Sequence, residues 1–125
     1  MTETEILEII KDSKRLHSLA NQFRRNPDVS ELMVLLNSDN DKIIEVGVWI
    51  SGEILIDKAS AQPVISRLHQ LVSHSNSSIR LHAIGALFPF LDRSNPTTLE
   101  MLTKLSHDSN RGVRLAVEAV LKKMS

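Results

Sequence analysis

The chain has no cysteine and no tyrosine, and only four glycines, four prolines, three phenylalanines and one tryptophan. Without thiols there is neither a disulfide framework nor a thiolate zinc site, which fits a reducing compartment. Fifteen basic residues balance fifteen acidic ones, so no charge excess draws the chain to nucleic acid or to an anionic membrane. No apolar run approaches a membrane span. The opening Met1-Thr2-Glu3-Thr4-Glu5 is acidic where a secretory signal is basic, so the expected location is the cytoplasm. Sustained apolar–polar alternation and Asn-Gly or Asp-Gly turns are missing, which argues against strands. Chemistry is equally thin. No glycine-rich phosphate cradle exists, and Ser73-His74 and Ser106-His107 lie in turns with no nucleophile elbow around them. The five histidines, His17, His69, His74, His82 and His107, are scattered, with no carboxylates at ligand spacing. The expectation is no enzyme, no cofactor and no metal.

What is present is a repeat. With 42% hydrophobic and 24% charged residues in 125 positions, the composition is that of one ordinary globular domain. The stretch Leu71 to Leu87 recurs 34 residues later as Leu105 to Leu121, and a weaker copy 35 residues earlier includes Leu36, Ile44, Val48, Ser51 and Gly52. A period of this size marks stacked helical units, because one unit cannot bury its apolar face alone. Pro27, Pro63 and Pro96 each precede a short helical segment, as suits a residue favoured in the first helical turn. The spacing predicts first helices over 27–36, 63–72 and 96–105, polar turns rich in Ser, Asn and Asp, and second helices over 41–57, 77–90 and 110–123. Pro89 is expected to end or kink the middle one. Before the repeats, Thr2-x-x-Glu5 reads as a capping box. Ile6, Ile9, Ile10, Leu16, Leu19 and Phe23 keep helical spacing with a break near Asp12 and Ser13.

The patterns Ile79-Arg80-x-x-Ala83-x-x-Ala86-Leu87 and Val113-Arg114-x-x-Val117-x-x-Val120-Leu121 resemble the second helix of HEAT repeats. The resemblance implies an all-α, right-handed α-solenoid: a cap over 1–26, then three HEAT-like helical hairpins over 27–58, 59–92 and 93–125. It also implies a ladder of Asp–Arg pairs between neighbouring repeats, with Asp108 meeting Arg80. Asp39 stands at the Asp place of the first repeat, whereas His74 replaces it in the second and Glu45 stands at the first repeat's Arg place. The chain is similar to small stand-alone bacterial HEAT-like proteins, some of which are immunity proteins that silence a toxin.

A helical wheel at about 100° per residue places Ile44, Val48, Ser51 and Leu55 towards the core and Val46, Trp49 and Glu53 away from it. The matching outward places are Leu81, Ile84 and Phe88, then Leu115, Glu118 and Lys122. An apolar strip edged by Glu45, Glu53, Arg80, Arg114 and Glu118 has the make-up of an interface centre with a polar rim. The expected partner-binding set is therefore Glu45, Val46, Trp49, Glu53, Arg80, Leu81, Ile84, Phe88, Arg114 and Glu118. The reading is a non-enzymatic, monomeric binding protein that holds one protein partner. The narrower expectation is an immunity protein inhibiting a cognate toxin such as a nuclease. An adaptor that joins proteins without inhibiting them is the alternative, and a HEAT-like nucleic-acid binder is a remote one.

Overall fold

A computed structural model describes residues 2–54, 57 and 59–124. The fold is all-α: among the described residues there are eight α-helices, one short 3₁₀ turn and no strand. The N-terminal pair is α1 (Glu3–Ile10) and α2 (Ser13–Arg25). Thr2 caps α1 by accepting from the Glu5 N–H at 3.2 Å, and its hydroxyl donates to the Glu5 carboxylate at 3.3 Å. The expected break falls at Asp12, which caps α2 by accepting from the Lys14 N–H at 2.9 Å.

Three further pairs follow: α3 (Val29–Leu36) with α4 (Asp41–Glu53), α5 (Gln62–Leu71) with α6 (Ser77–Leu87), and α7 (Pro96–Leu105) with α8 (Arg111–Met124). Each pair packs internally. Beyond that, α6 lies between α4 and α8, α3 lies against α5, and α1 and α2 both cover α4. Pro96 and Pro63 sit in the first turns of α7 and α5, as expected. Pro27 instead precedes the cap, because Asp28 accepts from the Glu31 N–H at 3.1 Å and starts α3 at Val29. Pro89 does end α6, turning Phe88–Phe90 into a 3₁₀ turn. The expected run of this helix to 57 is corrected: α4 ends at Glu53, where Ile54 turns extended, and Asp57 is in no helix. The expectation that Leu55 faces the core lies outside the described residues.

The turns between paired helices repeat one hydrogen-bond device. Asn40 caps α4 by accepting from the Lys42 N–H, Asn76 caps α6 by accepting from the Ser78 N–H, and Asn110 accepts from the Val113 N–H. Each asparagine's own N–H is held by the side chain two residues earlier: Ser38 at 3.0 Å, His74 at 2.9 Å and Asp108 at 2.8 Å. This corrects the register of the first pair by one residue. Ser38, not Asp39, stands where His74 and Asp108 stand, and Ile43 corresponds to Ile79 and Val113. These three are at most 1% exposed. Leu32, Leu68 and Leu102 occupy the matching place on the first helices, again at most 1% exposed.

The core is one continuous aliphatic cluster drawn from all four helix pairs, with Phe23 as its one buried aromatic residue. At Gly47, α4 comes close to α3: an added Cβ would lie 3.0 Å from Leu35 Cβ and 3.2 Å from the Leu36 backbone nitrogen. Only glycine lets α4 sit that near α3.

Candidate functional site

A groove of about 480 Å³ crosses α4, α6 and α8 on the side away from the first helices. Its register explains its shape. Trp49 on α4, Gly85 on α6 and Ala119 on α8 hold corresponding places one behind another, so one bulky ring stands beside two near-bare stretches of backbone. Leu81, Phe88, Gly52 and Ala116 add to the apolar lining above Val48, Ile84, Ala86 and Val120, and Glu53, His82 and Lys123 edge it. Trp49 is half-buried against the core, with its ring meeting that of His17 edge-on at 5.6 Å and 83°. The Lys123 ammonium sits 5.5 Å from the centre of the Phe88 ring, within cation–π range.

Of the ten expected binding residues, the groove gathers Trp49, Glu53, Leu81, Ile84 and Phe88. Two of the apolar ones are not outward ridge residues. Val46 is 6% exposed and Ile84 is 0% exposed, so both belong to the core and Ile84 only underlies the groove floor. The cause is the one-residue register slip, which turns a helical wheel by about 100°. On α8 the groove is lined by Ala116, Ala119, Val120 and Lys123, not by Leu115, Glu118 and Lys122. Glu45 is half-buried, and it and Val46 lie outside the groove lining.

The charged residues are engaged within the chain. Glu53 takes the Arg24 guanidinium at 2.8 Å, and Glu118 meets Lys122 at 3.6 Å. Arg80 is a structural clamp. Its Nε and Nη2 donate to the two Asp108 carboxylate oxygens at 2.9 Å each, while Nη1 donates to the His74 and Ser75 carbonyls at 2.9 and 3.1 Å. The pairing implied by the family resemblance is therefore present between α6 and the α7–α8 turn, with both side chains nearly buried. Arg114 repeats the inner half of the clamp, donating through Nη1 to the Asp108 carbonyl at 2.7 Å. Between α4 and the α5–α6 turn the link differs: Asp41 accepts from Asn76 Nδ2 at 3.1 Å and lies 3.7 Å from His74 Nε2. His74 Nδ1 accepts the Asn76 N–H, which assigns its proton to Nε2 and aims it at Asp41.

Sequence reasoning missed Gly52, His82, Gly85, Ala116, Ala119 and Lys123. Aligning the chain on Asn40, Asn76 and Asn110 would have found them. Among the described residues no group of three or more His, Cys, Asp or Glu side chains is arranged to hold a metal ion, and no helix is long and apolar enough to cross a membrane. A second hollow, about 470 Å³, opens between α2 and α3, but Gln22, Arg25, Asn26, Asp28 and Glu31 make most of its wall. Compared with known proteins, the chain matches no family model, no curated protein and no solved structure.

Proposed function

We propose that this chain is a non-enzymatic protein-binding module: a right-handed α-solenoid of three HEAT-like hairpins, with α1 and α2 as its cap and the α4–α6–α8 groove as its binding surface. The order of helix neighbours supports the architecture, since second helices adjoin second helices and α3 adjoins α5. The observation that carries the function is the groove itself. Half-exposed Trp49, Leu81 and Phe88 stand around a floor of Gly85, Ala116 and Ala119, which offers an inserted side chain both apolar contact and room. Buried aromatic anchors in such pockets dominate protein association, while rim charges contribute little.

The partner expected from the family resemblance is a toxin that this protein would silence by covering its active site. The acidic rim no longer adds to that expectation, because Glu53 and Glu118 are matched by Arg24 and Lys122 within the chain. Inhibition is thus proposed on shape and apolar contact alone. The test is capture of a partner at one-to-one stoichiometry, followed by assay of that partner with and without this protein. Loss of the partner's activity, and rescue of cells expressing it, support an inhibitor. Tight binding with activity intact makes the protein an adaptor. Turnover of a small molecule by this chain alone overturns the reading.

A further inference from the structure

The turns that start α4, α6 and α8 hold the same backbone N–H by three different acceptors, and only the middle one is open to a proton near neutrality. Ser38 accepts from the Asn40 N–H while its own hydroxyl donates to the Glu3 carboxylate at 2.8 Å. Asp108 accepts from the Asn110 N–H and stays ionised, because the hydrogen bonds from Arg80 hold its carboxyl below the ordinary aspartate range. In the middle turn the acceptor is His74 Nδ1, 2.9 Å from the Asn76 nitrogen. An imidazole accepts through one nitrogen only while neutral, and is a donor at both once protonated. It is also the side chain whose charge changes between about pH 5 and 8. The surroundings of this ring favour the proton from one side. Its Nε2 lies 3.7 Å from Asp41 Oδ1 on α4, and the other Asp41 oxygen accepts from Asn76 Nδ2. From α6, Arg80 donates to the His74 carbonyl, and its charge is answered by Asp108. Across the hollow that His74 shares with the last turn stand Lys104 and His107, which oppose a further positive charge. Of these groups, Asp41 alone is a carboxylate without an arginine.

We propose that His74 is a proton-operated latch between the α3–α4 pair and the α5–α6 pair. Neutral, the ring closes its own turn by accepting from the Asn76 N–H. When Nδ1 takes a proton from solvent, two hydrogens face each other across that contact, the bond breaks, and the ring is drawn to Asp41 as an ion pair. The proton therefore transfers the hold on the middle turn from its own backbone to α4. The start of α6 loosens, while its tie to α4 strengthens. The next joint along, Arg80 with Asp108, pairs a permanent cation with a carboxylate already ionised in this range and does not respond. The latch lies in a turn that does not line the groove, and its test is independent of the groove's occupant.

The test is amide hydrogen exchange of the full chain at about pH 8 and about pH 5.5, which brackets most of the imidazole range. Each rate is divided by that of an unstructured peptide at the same pH, and the ring-nitrogen spectrum of His74 is followed alongside. As the ring protonates, protection at the Asn76 amide falls about fivefold or more, the weight of one hydrogen bond. The Asn40 and Asn110 amides keep theirs. His74→Ser, which installs the first turn's kind of acceptor, removes the dependence. Asp41→Asn, which keeps an acceptor for Asn76 Nδ2 but removes the charge, moves protonation of the ring to lower pH. Protection retained at Asn76 with the ring protonated overturns the latch, as does a ring that stays neutral down to about pH 5.5. The same loss in His74→Ser, or equal losses at all three asparagines, overturns it too, by tracing the change to general loosening of the fold.

Discussion

Asp108 is the side chain on which the joint between the last two helix pairs depends. Its carboxyl is held below the ordinary aspartate range first by the hydrogen bonds from Arg80, against the opposing effect of burial. The Asn110 N–H and the charges of Arg80 and Arg114 add to the lowering. A depressed folded-state value means that the stabilisation is complete above the unfolded aspartate value and disappears as pH falls through the folded one. Asp108→Asn should therefore cost about 2 kcal/mol at neutral pH, the scale of a charge-assisted hydrogen-bonded pair. Urea unfolding of both proteins should show the gap closing below about pH 4. A gap of constant size would mean that the carboxylate's charge does not matter. Two glycines give a contrast of the same kind. Gly47→Ala forces its Cβ against Leu35 and the Leu36 backbone and should cost about 1–3 kcal/mol. At Gly85 a Cβ meets nothing within 4 Å, so Gly85→Ala should stabilise by about 0.5–1 kcal/mol through helix propensity. Thermal melts of the pair decide it, and equal shifts would refute the packing account.

The helices owe their ends to side chains that the sequence displays openly. Asn76 accepts from both the Ser78 and Ile79 N–H groups and donates to Asp41. Asn76→Ala should cost about 1 kcal/mol or somewhat more, read as a lowered unfolding midpoint. Asn76→Asp, which keeps the cap but places a second carboxylate beside Asp41, should recover only part of it. Prolines, repeat leucines and polar turns made the helix order legible, and the 96–105 helix falls where its spacing placed it. The first pair's register was not legible from apolar spacing. Ile43 and Ile44 are both buried, as are Val46, Val48 and Ile50, because α4 is enclosed by α1, α2, α3 and α6. A helix covered on several sides has no single apolar stripe, so its wheel cannot fix its rotation. That slip put Val46 and Ile84 on the surface and hid Gly85 and Ala119. The Arg80–Asp108 pair was expected only through the resemblance to HEAT repeats, since apolar spacing carries no signal for it.

Taken as one body, the molecule has two faces of different character. Between α5 and α7 lies only a shallow hollow, with half-buried His69 and Met101 in its wall. The side formed by α4, α6 and α8 holds the groove, and its floor is widest where the helices carry least side chain. Trp49 belongs to both: it packs on the core and walls the groove, so Trp49→Ala should reduce stability and binding together and cannot separate them. Gly85 can. The decisive measurement is a calorimetric titration of the captured partner with Gly85→Leu, alongside its thermal midpoint. The account predicts an intact or raised midpoint with affinity lowered at least about a hundredfold, because the new side chain occupies the space an anchoring residue needs. Unaltered affinity for a correctly folded Gly85→Leu protein would contradict it and move the partner's contact elsewhere.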